Sequence, residues 1–235
     1  MALQIAVMQS DRIPVREIAA ELKRICAQWD LYCRCRIVPL AELRELYAAS
    51  GAVDLMVLDA DVQEAVAFAT MLRLTLKDFN TQILFTAKTP FSALQLFACH
   101  PLNFLLLPLK ADALEHVMLS YARIDYRSGR RINYRIGRKI YRLPLQEFCY
   151  ATAEGRKLSV VTESQIDCFY GTLKQVATLL NNPYFYLVSD TLLLNLLQIR
   201  QMEETLLTMH NHDQVPLGKG QQKMILERCN ALDIS

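Results

Sequence analysis

Two polar side chains follow apolar segments in the first half of the chain. Asp59 closes the segment 54–59 (DLMVLD), and Thr86 lies near the end of 82–87 (QILFTA). Because ligands of open α/β sheets bind at the carboxyl ends of strands, these two residues are the first candidates for chemistry. A carboxylate at such an edge can bind a hard cation such as Mg²⁺. The structural alternatives are that Asp59 caps the following helix and that Thr86 is an ordinary strand-end hydroxyl.

Other groups of reactive residues are sparse. The sequence has no Ser/His/Asp arrangement, no glycine-rich phosphate loop and no Glu-x-x-His motif, and it contains seven glycines. Cys33 and Cys35 fit alternate positions of a strand, and His210 and His212 fall in a predicted hairpin turn. We therefore predict a non-enzymatic protein without a metal or cofactor.

The segments that position these residues alternate between strand-like and helical patterns. Strand-like segments lie at 4–8, 33–38, 54–59, 82–87 and 104–109, and a clear helical pattern runs from Val15 to Trp29. This alternation predicts an α/β fold with a five-stranded, doubly wound parallel sheet of the flavodoxin-like kind over residues 1–126. From Ile132 the segments are short and punctuated by turn residues, with helical patterns only at 172–180 and 221–232. We expect a mostly-β second domain over residues 127–235.

Composition and charge argue against a membrane-spanning protein and against a disulfide-linked secreted protein. About half of the residues are apolar, and no stretch reaches the ~20 apolar residues that a membrane helix needs. The odd number of cysteines, seven, suits free thiols better than a disulfide framework. With no secretory signal pattern at the N-terminus, a cytoplasmic protein without a membrane partner is expected. The positive charge is concentrated between residues 123 and 142, a segment with eight basic side chains and a single acidic one, Asp125.

Residues 3–125 resemble the receiver domains of bacterial response regulators, on the strength of DLMVLD, FTA and NFLLLPL. The resemblance implies that Asp59 stands at the phosphoacceptor position, Thr86 at the hydroxyl that binds the phosphoryl group, and Phe104 at the switch aromatic. The family's lysine is replaced by Leu107. Its Mg²⁺-binding acidic pair falls on Gln9 and Ser10, or on Ser10 and Asp11 after a one-residue shift.

Phosphorylation of this receiver-like domain would depend on cations close to Asp59. Transfer of a dianionic phosphoryl group to a carboxylate needs cations that neutralise the developing charge. Because the lysine and at least one metal-binding carboxylate are missing, we predict a vestigial site at Asp59, Thr86, Asp11 and Phe104. A receiver that still autophosphorylates from a small phosphodonor is the less favoured interpretation.

The second half resembles a LytTR DNA-binding domain over residues 132–234, carried by the segments 148–162, 182–199 and 214–225. The resemblance implies an elongated β fold that binds DNA through loops, with the segment after Phe185 forming one strand that reaches Asn195 and Ile199. The implied DNA-contacting residues are Arg156, Lys157, Ser189, Asp190, Thr191 and Lys219. The family usually has Arg-x-His-Arg-Ser where this chain has 187–191 (LVSDT), so both arginines and the histidine are absent.

Two features leave alternatives open. Asp190 either repels phosphate or accepts a hydrogen bond from a cytosine amino group. The basic residues Arg131, Arg135 and Lys139, which alternate with isoleucines, form either a phosphate-tracking surface or a solvated linker. The sequence thus predicts a phosphorylation-independent, homodimeric DNA-binding transcription regulator, with a sensor kinase or partner regulator as a further possible partner. The alternative is an interaction module that has lost DNA binding and acts through partner proteins.

Overall fold

The computed structural model describes residues 2–50, 53–110 and 112–234. The chain divides into two compact units, residues 2–121 and the residues from Ala122 onward. Each unit is described by itself. No helix in the described ranges combines the length and the apolar character needed to cross a membrane.

The first unit is a parallel sheet with the strand order β2-β1-β3-β4-β5. This order is that of the flavodoxin-like doubly wound folds, and it confirms the predicted fold class. A ten-residue 3-10 helix, Pro90–Cys99, links β4 to β5. The other elements are β1 (Leu3–Met8), α1 (Val15–Gln28), β2 (Cys33–Val38), α2 (Leu40–Ser50), β3 (Leu55–Asp59), α3 (Gln63–Leu74), β4 (Gln82–Ala87), β5 (Asn103–Leu106) and α4 (Ala113–Arg127).

Burial follows the position of each strand in this sheet. Every residue of the central strand β3 is buried, as expected for a parallel strand covered by helices on both faces. The edge strand β2 mostly alternates between half-buried and exposed residues. Helix α1 buries one face, with Ile18, Leu22 and Ile25 at helical spacing. The carboxyl ends of β1, β3, β4 and β5 therefore meet at one edge of the sheet.

The second unit consists of three antiparallel sheets and two short helices, which confirms the predicted mostly-β domain. The main sheet has the order β10-β9-β8-β12-β11, and the smaller sheets are β13-β14-β15 and β6-β7. The strands are β6 (Arg131–Ile136), β7 (Lys139–Pro144), β8 (Phe148–Glu154), β9 (Lys157–Thr162), β10 (Ile166–Tyr170), β11 (Phe185–Ser189), β12 (Leu192–Asn195), β13 (Ile199–Met202), β14 (Leu206–Met209) and β15 (Gln214–Pro216), and the helices are α5 (Leu173–Leu180) and α6 (Gln221–Ala231).

Buried asparagines hold the second unit together. The Asn195 side chain is fully buried and donates to the Phe148 carbonyl (2.6 Å) and to the Tyr126 hydroxyl (3.1 Å). Asn182 likewise donates to the Ala122 carbonyl (3.0 Å). These bonds, and the edge-on contact of the Tyr126 ring with Tyr184, explain why the end of α4 belongs to the second unit.

Two predicted strands end earlier than expected. The segment after Phe185 is a hairpin of β11 and β12, followed by a 3-10 helix (Leu196–Gln198) and β13, so the prediction of a single strand is wrong. The turn falls at Asp190 and Thr191, after a register shift between Leu187 and Ser189, because Ser and Asp favour turns. Strand β5 stops at Leu106, ahead of Pro108, which lacks a donor for the sheet.

Candidate functional sites

The candidate receiver site lies at the carboxyl edge of the parallel sheet. Asp59 ends β3 and stands opposite Thr86 of β4 in the strand register. Both residues are fully buried, and the Thr86 hydroxyl donates to the Leu58 carbonyl (3.4 Å). Phe104 of β5 packs half-buried against the same core. The strand register thus places Asp59 beside Thr86, and Phe104 lies on the next strand opposite Phe85, the residue before Thr86.

A serine takes the place of a charged group beside the Asp59 carboxylate. The Ser10 hydroxyl donates to Asp59 Oδ2 (2.6 Å), and the Asp61 backbone N–H donates to Oδ1 (2.9 Å). Each carboxylate oxygen thus has a neutral donor. Helix α3 begins at Gln63 with Val62 as its N-cap residue, so the alternative in which Asp59 caps this helix is wrong.

The remaining receiver positions supply little charge. Asp11 is exposed in the loop after β1, and the Ser10 hydroxyl also accepts from the Arg12 backbone N–H (3.1 Å). Leu107, half-buried, has no charge to offer a phosphoryl group. Within the described ranges, no cluster of three His, Cys, Asp or Glu side chains could hold a metal ion.

The candidate DNA-contacting residues are concentrated at one end of the main sheet. The β8–β9 turn is formed by Gly155, whose φ of 59° favours glycine, and by Arg156. The Ala153 backbone N–H donates to the Thr191 carbonyl (3.1 Å), so the β11–β12 turn lies directly beside this hairpin. The structure therefore joins Arg156 and Lys157 with Ser189, Asp190 and Thr191, which the sequence could place only in separate loops.

Hydrogen bonds define this end of the sheet, which we call the turn cluster (residues 154–157, 170 and 189–191). The Ser189 and Thr191 hydroxyls bond to each other (3.1 Å), which leaves Asp190 exposed at the tip. Lys157 stands opposite Glu154 across the hairpin. The two cations of the cluster therefore have two carboxylates nearby.

An exposed aromatic residue in the turn cluster escaped the sequence analysis. Tyr170 ends β10 opposite Lys157 and is 85% exposed. The Gly171 backbone N–H donates to the Arg156 carbonyl (3.0 Å), which fixes the chain after Tyr170 against the first turn. Only the strand register reveals this neighbourhood, because Lys157 and Tyr170 are 13 positions apart in the sequence.

The basic β6–β7 hairpin presents its cations on two faces. Residues directly opposite on antiparallel strands project to the same face. Arg135 is opposite Ile140 and Lys139 is opposite Ile136, so Lys139 projects away from the face of Arg131 and Arg135. The two-residue turn reverses the alternation, so the even spacing of these three residues in the sequence does not place them on one side of the hairpin. Arg142, opposite Asn133, joins the face of Arg131 and Arg135 instead.

Lys219 lies apart from these groups in the described contacts. It is exposed in the loop between β15 and α6, next to Gly220, the N-cap residue of α6. Helix α6 is anchored on β11, where the Arg228 guanidinium lies 5.4 Å from the centre of the Tyr186 ring. No described hydrogen bond or ion pair joins Lys219 to the turn cluster.

Comparisons with known proteins give one matching family model and several similar solved structures. Residues 138–230 match the family model described as LytTr DNA-binding domain. Among solved structures, the chain is similar to a LytTr DNA-binding domain from Bacillus cereus (19% identity, 43% of this chain and 95% of that chain, TM-score 0.35). It is also similar to the response regulator DrrB from Thermotoga maritima (16% identity, 60% of each chain, TM-score 0.40). A third similar structure is HP1043, an orphan response regulator of H. pylori (13% identity, 53% of this chain and 95% of that chain, TM-score 0.39). No curated protein matches the chain.

Proposed function

Because residues 138–230 match the model of the LytTr DNA-binding domain and follow, in the sequence, a unit with the receiver strand order, we propose that the protein regulates transcription by binding duplex DNA through its turn cluster. The observation that carries this proposal is the hydrogen bond from Ala153 to Thr191, which sets two exposed turns side by side. Two adjacent loops with cationic, hydroxyl and aromatic side chains suit contacts to phosphates and base edges. DNA is then the principal partner, and the cytoplasm is the compartment.

Within the turn cluster, we assign different roles to the cations and to Asp190. Arg156 and Lys157 neutralise phosphates or read guanine, while Ser189 and Thr191 act as neutral donors to phosphate. Asp190 at the tip accepts a hydrogen bond from cytosine, since a carboxylate facing phosphate would weaken binding. Under this assignment, Asp190→Asn weakens a specific site by roughly 1–3 kcal/mol and leaves non-specific affinity level or higher. Tighter binding to every sequence would instead identify Asp190 as a purely repulsive group.

The β6–β7 hairpin adds non-specific affinity in this proposal. The face formed by Arg131, Arg135 and Arg142 tracks the phosphate backbone, with Lys219 as a further cation elsewhere on the unit. Each phosphate that a cation neutralises contributes about 0.9 to the slope of log K against log salt.

Salt titration of fluorescent duplexes tests both surfaces. We expect the slope to flatten by up to about 2 when Arg156 and Lys157 are both replaced by Ala, and by up to about 0.9 for Arg135→Ala. Lys139→Ala, on the opposite hairpin face, and Arg34→Ala, in the first unit, are the matched charge controls and should change the slope less. Equal effects of all these variants would mean that total charge, not a defined surface, binds DNA.

The first unit acts without phosphorylation in this proposal. Asp59 is buried, both of its oxygens have neutral donors, and Leu107 brings no cation. We expect acetyl phosphate or beryllofluoride with Mg²⁺ to leave Asp59 unmodified and DNA affinity unchanged, as measured by intact mass and by titration. Stoichiometric Mg²⁺-dependent labelling that Asp59→Asn abolishes would contradict this expectation, and it would point to a sensor kinase as a partner.

Assembly then rests on a phosphate-independent surface. Strand β5 is an edge of the parallel sheet, and Leu106 on it is 43% exposed. A homodimer through this edge, beside the Phe104 region, would place two LytTR domains on a repeated DNA site. Sedimentation of the full chain at micromolar concentration should give a dimer that Leu106→Asp converts to monomer. A wild-type monomer would refute the dimer without affecting the DNA-binding proposal.

The second candidate function is an interaction module that works through a partner regulator. Asp190, where the family has a cation, favours this alternative, and so do the exposed apolar side chains of Ile140 and Ile166, at 59% and 63% exposure. This function predicts duplex binding weaker than about 10⁻⁴ M at physiological salt, outside the usual non-specific range. The charge variants above would then have no effect on regulation.

A further inference from the structure

A groove of 560 Å³ in the second unit lies between β6, the β9–β10 hairpin and α5. Its wall is apolar, formed by Ile132 and Tyr134 of β6, Leu158 and Val160 of β9, Phe169 of β10 and Val176 of α5. This volume falls within the ~300–1,000 Å³ typical of small-molecule sites. Arg135 and Tyr170, which belong to the proposed DNA-contacting surfaces, also line this groove, but none of the proposed DNA contacts requires the concavity itself.

Stacked aromatic rings make one side of the groove rigid. The Tyr134 ring stacks on Phe169 (centroids 5.3 Å apart) and on Tyr141 (5.6 Å). The Tyr134 hydroxyl donates to the Asp167 carboxylate, and burial, followed by this bond, raises the pKa of Tyr134 well above its ordinary value. The ring is thus held by two neighbours and a hydrogen bond, so its face is a fixed surface for an apolar or aromatic group.

The charged side chains among the described lining of the groove have one sign. Arg135 and Lys174, both exposed, are the charged residues among its described lining, and no carboxylate lines it. The nearest acid of the aromatic wall, Asp167, accepts hydrogen bonds from Tyr134 and from the Gln165 amide (2.9 Å). An anion at the groove mouth therefore meets cations, while a cation would meet repulsion.

We propose that this groove binds an anionic amphipathic small molecule. Its apolar body lies on the aromatic and aliphatic wall, and its carboxylate, sulfonate or phosphate group lies between Arg135 and Lys174. A neutral hydrocarbon would leave the two cations unused, and a bare inorganic anion would leave the wall uncovered. This assignment stands on the groove alone and does not depend on DNA binding.

A matched pair of fluorescent probes tests the assignment on the full chain. 8-Anilinonaphthalene-1-sulfonate and the uncharged N-phenyl-1-naphthylamine share one skeleton and differ by the sulfonate. We expect saturable one-to-one binding of the sulfonate probe. Arg135→Ala and Lys174→Ala should each weaken it by about fivefold, the equivalent of one unit charge at about 4 Å in water. Both variants should leave the uncharged probe within twofold.

Two further variants separate the groove from other surfaces. Thr178→Trp fills the groove from the exposed face of α5 and should abolish binding of both probes. Lys223→Ala removes an exposed cation from α6, where it lies 3.8 Å from Glu227, and should change neither affinity. Unfolding midpoints by circular dichroism verify that each variant is folded, and the two charge variants remain a test if Thr178→Trp is not.

Displacement experiments identify the kind of occupant. Dodecanoate should displace the sulfonate probe, whereas dodecanol and dodecyltrimethylammonium should do so at least tenfold less effectively. Equal displacement by all three, or sulfonate-probe binding that survives Thr178→Trp in a folded variant, would overturn the proposal. Stronger displacement by an acidic amphipathic peptide than by dodecanoate would assign the groove to a partner protein and would also overturn it.

Discussion

Replacement of Ser10 by Ala tests whether a neutral hydrogen bond stabilises the buried Asp59 carboxylate of the candidate receiver site. The Ser10 hydroxyl donates to Asp59 Oδ2 at 2.6 Å, and Asp59 is fully buried. A hydrogen bond to a charged group contributes roughly 1.5–3 kcal/mol, and a buried oxygen that loses its donor also loses that contribution. Ser10 is itself half-buried, so water can replace part of the bond. We therefore expect Ser10→Ala to lower the free energy of unfolding by about 2 kcal/mol.

Urea unfolding, monitored by tryptophan fluorescence, measures the change in the free energy of unfolding of the first unit. Trp29 is the sole tryptophan of the chain, and it lies 1% exposed in the first unit. With a slope of roughly 1–3 kcal/mol per M, the midpoint should fall by about 1 M. Ser120→Ala, which removes an exposed hydroxyl bonded to the His116 carbonyl, is the control and should shift stability by less than about 0.5 kcal/mol.

A double-mutant cycle with Asp59→Asn isolates the interaction. If the hydroxyl acts through the carboxylate, Ser10→Ala should cost markedly less in the Asp59→Asn background than in the wild type. An equal cost in both backgrounds, or no cost in the wild type, would refute the assigned contact.

Three further predictions concern the second unit. Asn195→Ala should lower the free energy of unfolding by about 3 kcal/mol, because the buried Phe148 carbonyl and neighbouring backbone groups lose their hydrogen bonds to this side chain. Calorimetry should show a lower melting temperature. Burial, and next the hydrogen bond to Asp213, raises the pKa of Tyr150 to about 12. The protonated phenol therefore stabilises the fold fully below pH ~10, and this contribution is lost as pH rises to about 12, so Tyr150→Phe should flatten calorimetric stability across that window. Thr172→Ala removes the capping box of α5 and should cost about 1 kcal/mol; no change in thermal unfolding would contradict the cap.

The parallel sheet and its edge residues could be predicted from the sequence because their signals are local. An apolar run of strand length followed by Asp59 indicates both a buried strand and its end. The bond from Ser10 to Asp59 could not be predicted, because it joins residues 49 positions apart and depends on how the β1 loop closes. The sequence placed Ser10 at a position of the metal-binding acidic pair, but it did not show that the Ser10 hydroxyl bonds to the Asp59 carboxylate.

In the second domain, the alternation of residues along the sequence is not enough to predict which side chains lie together. The hairpin register decides on which face Arg135 and Lys139 lie, and the two-residue turn places them on opposite faces. The hairpin turn at Asp190 could not be predicted, because strand-forming residues continue on both sides of it. Tyr170 carries no local signal of function at all, since its position beside Lys157 arises from strand pairing.

Selection of bound fragments from a random duplex library by the purified full chain tests the central claim most directly. Sequencing, followed by titration at physiological salt, should give an enriched motif that binds at least 10³-fold more tightly than a shuffled duplex, the lower end expected for specific DNA-binding proteins. Replacement of both Arg156 and Lys157 by Ala should abolish the enrichment, whereas Arg34→Ala should not. No enriched motif, together with affinity weaker than about 10⁻⁴ M for every duplex, would contradict the proposal that the second unit binds DNA.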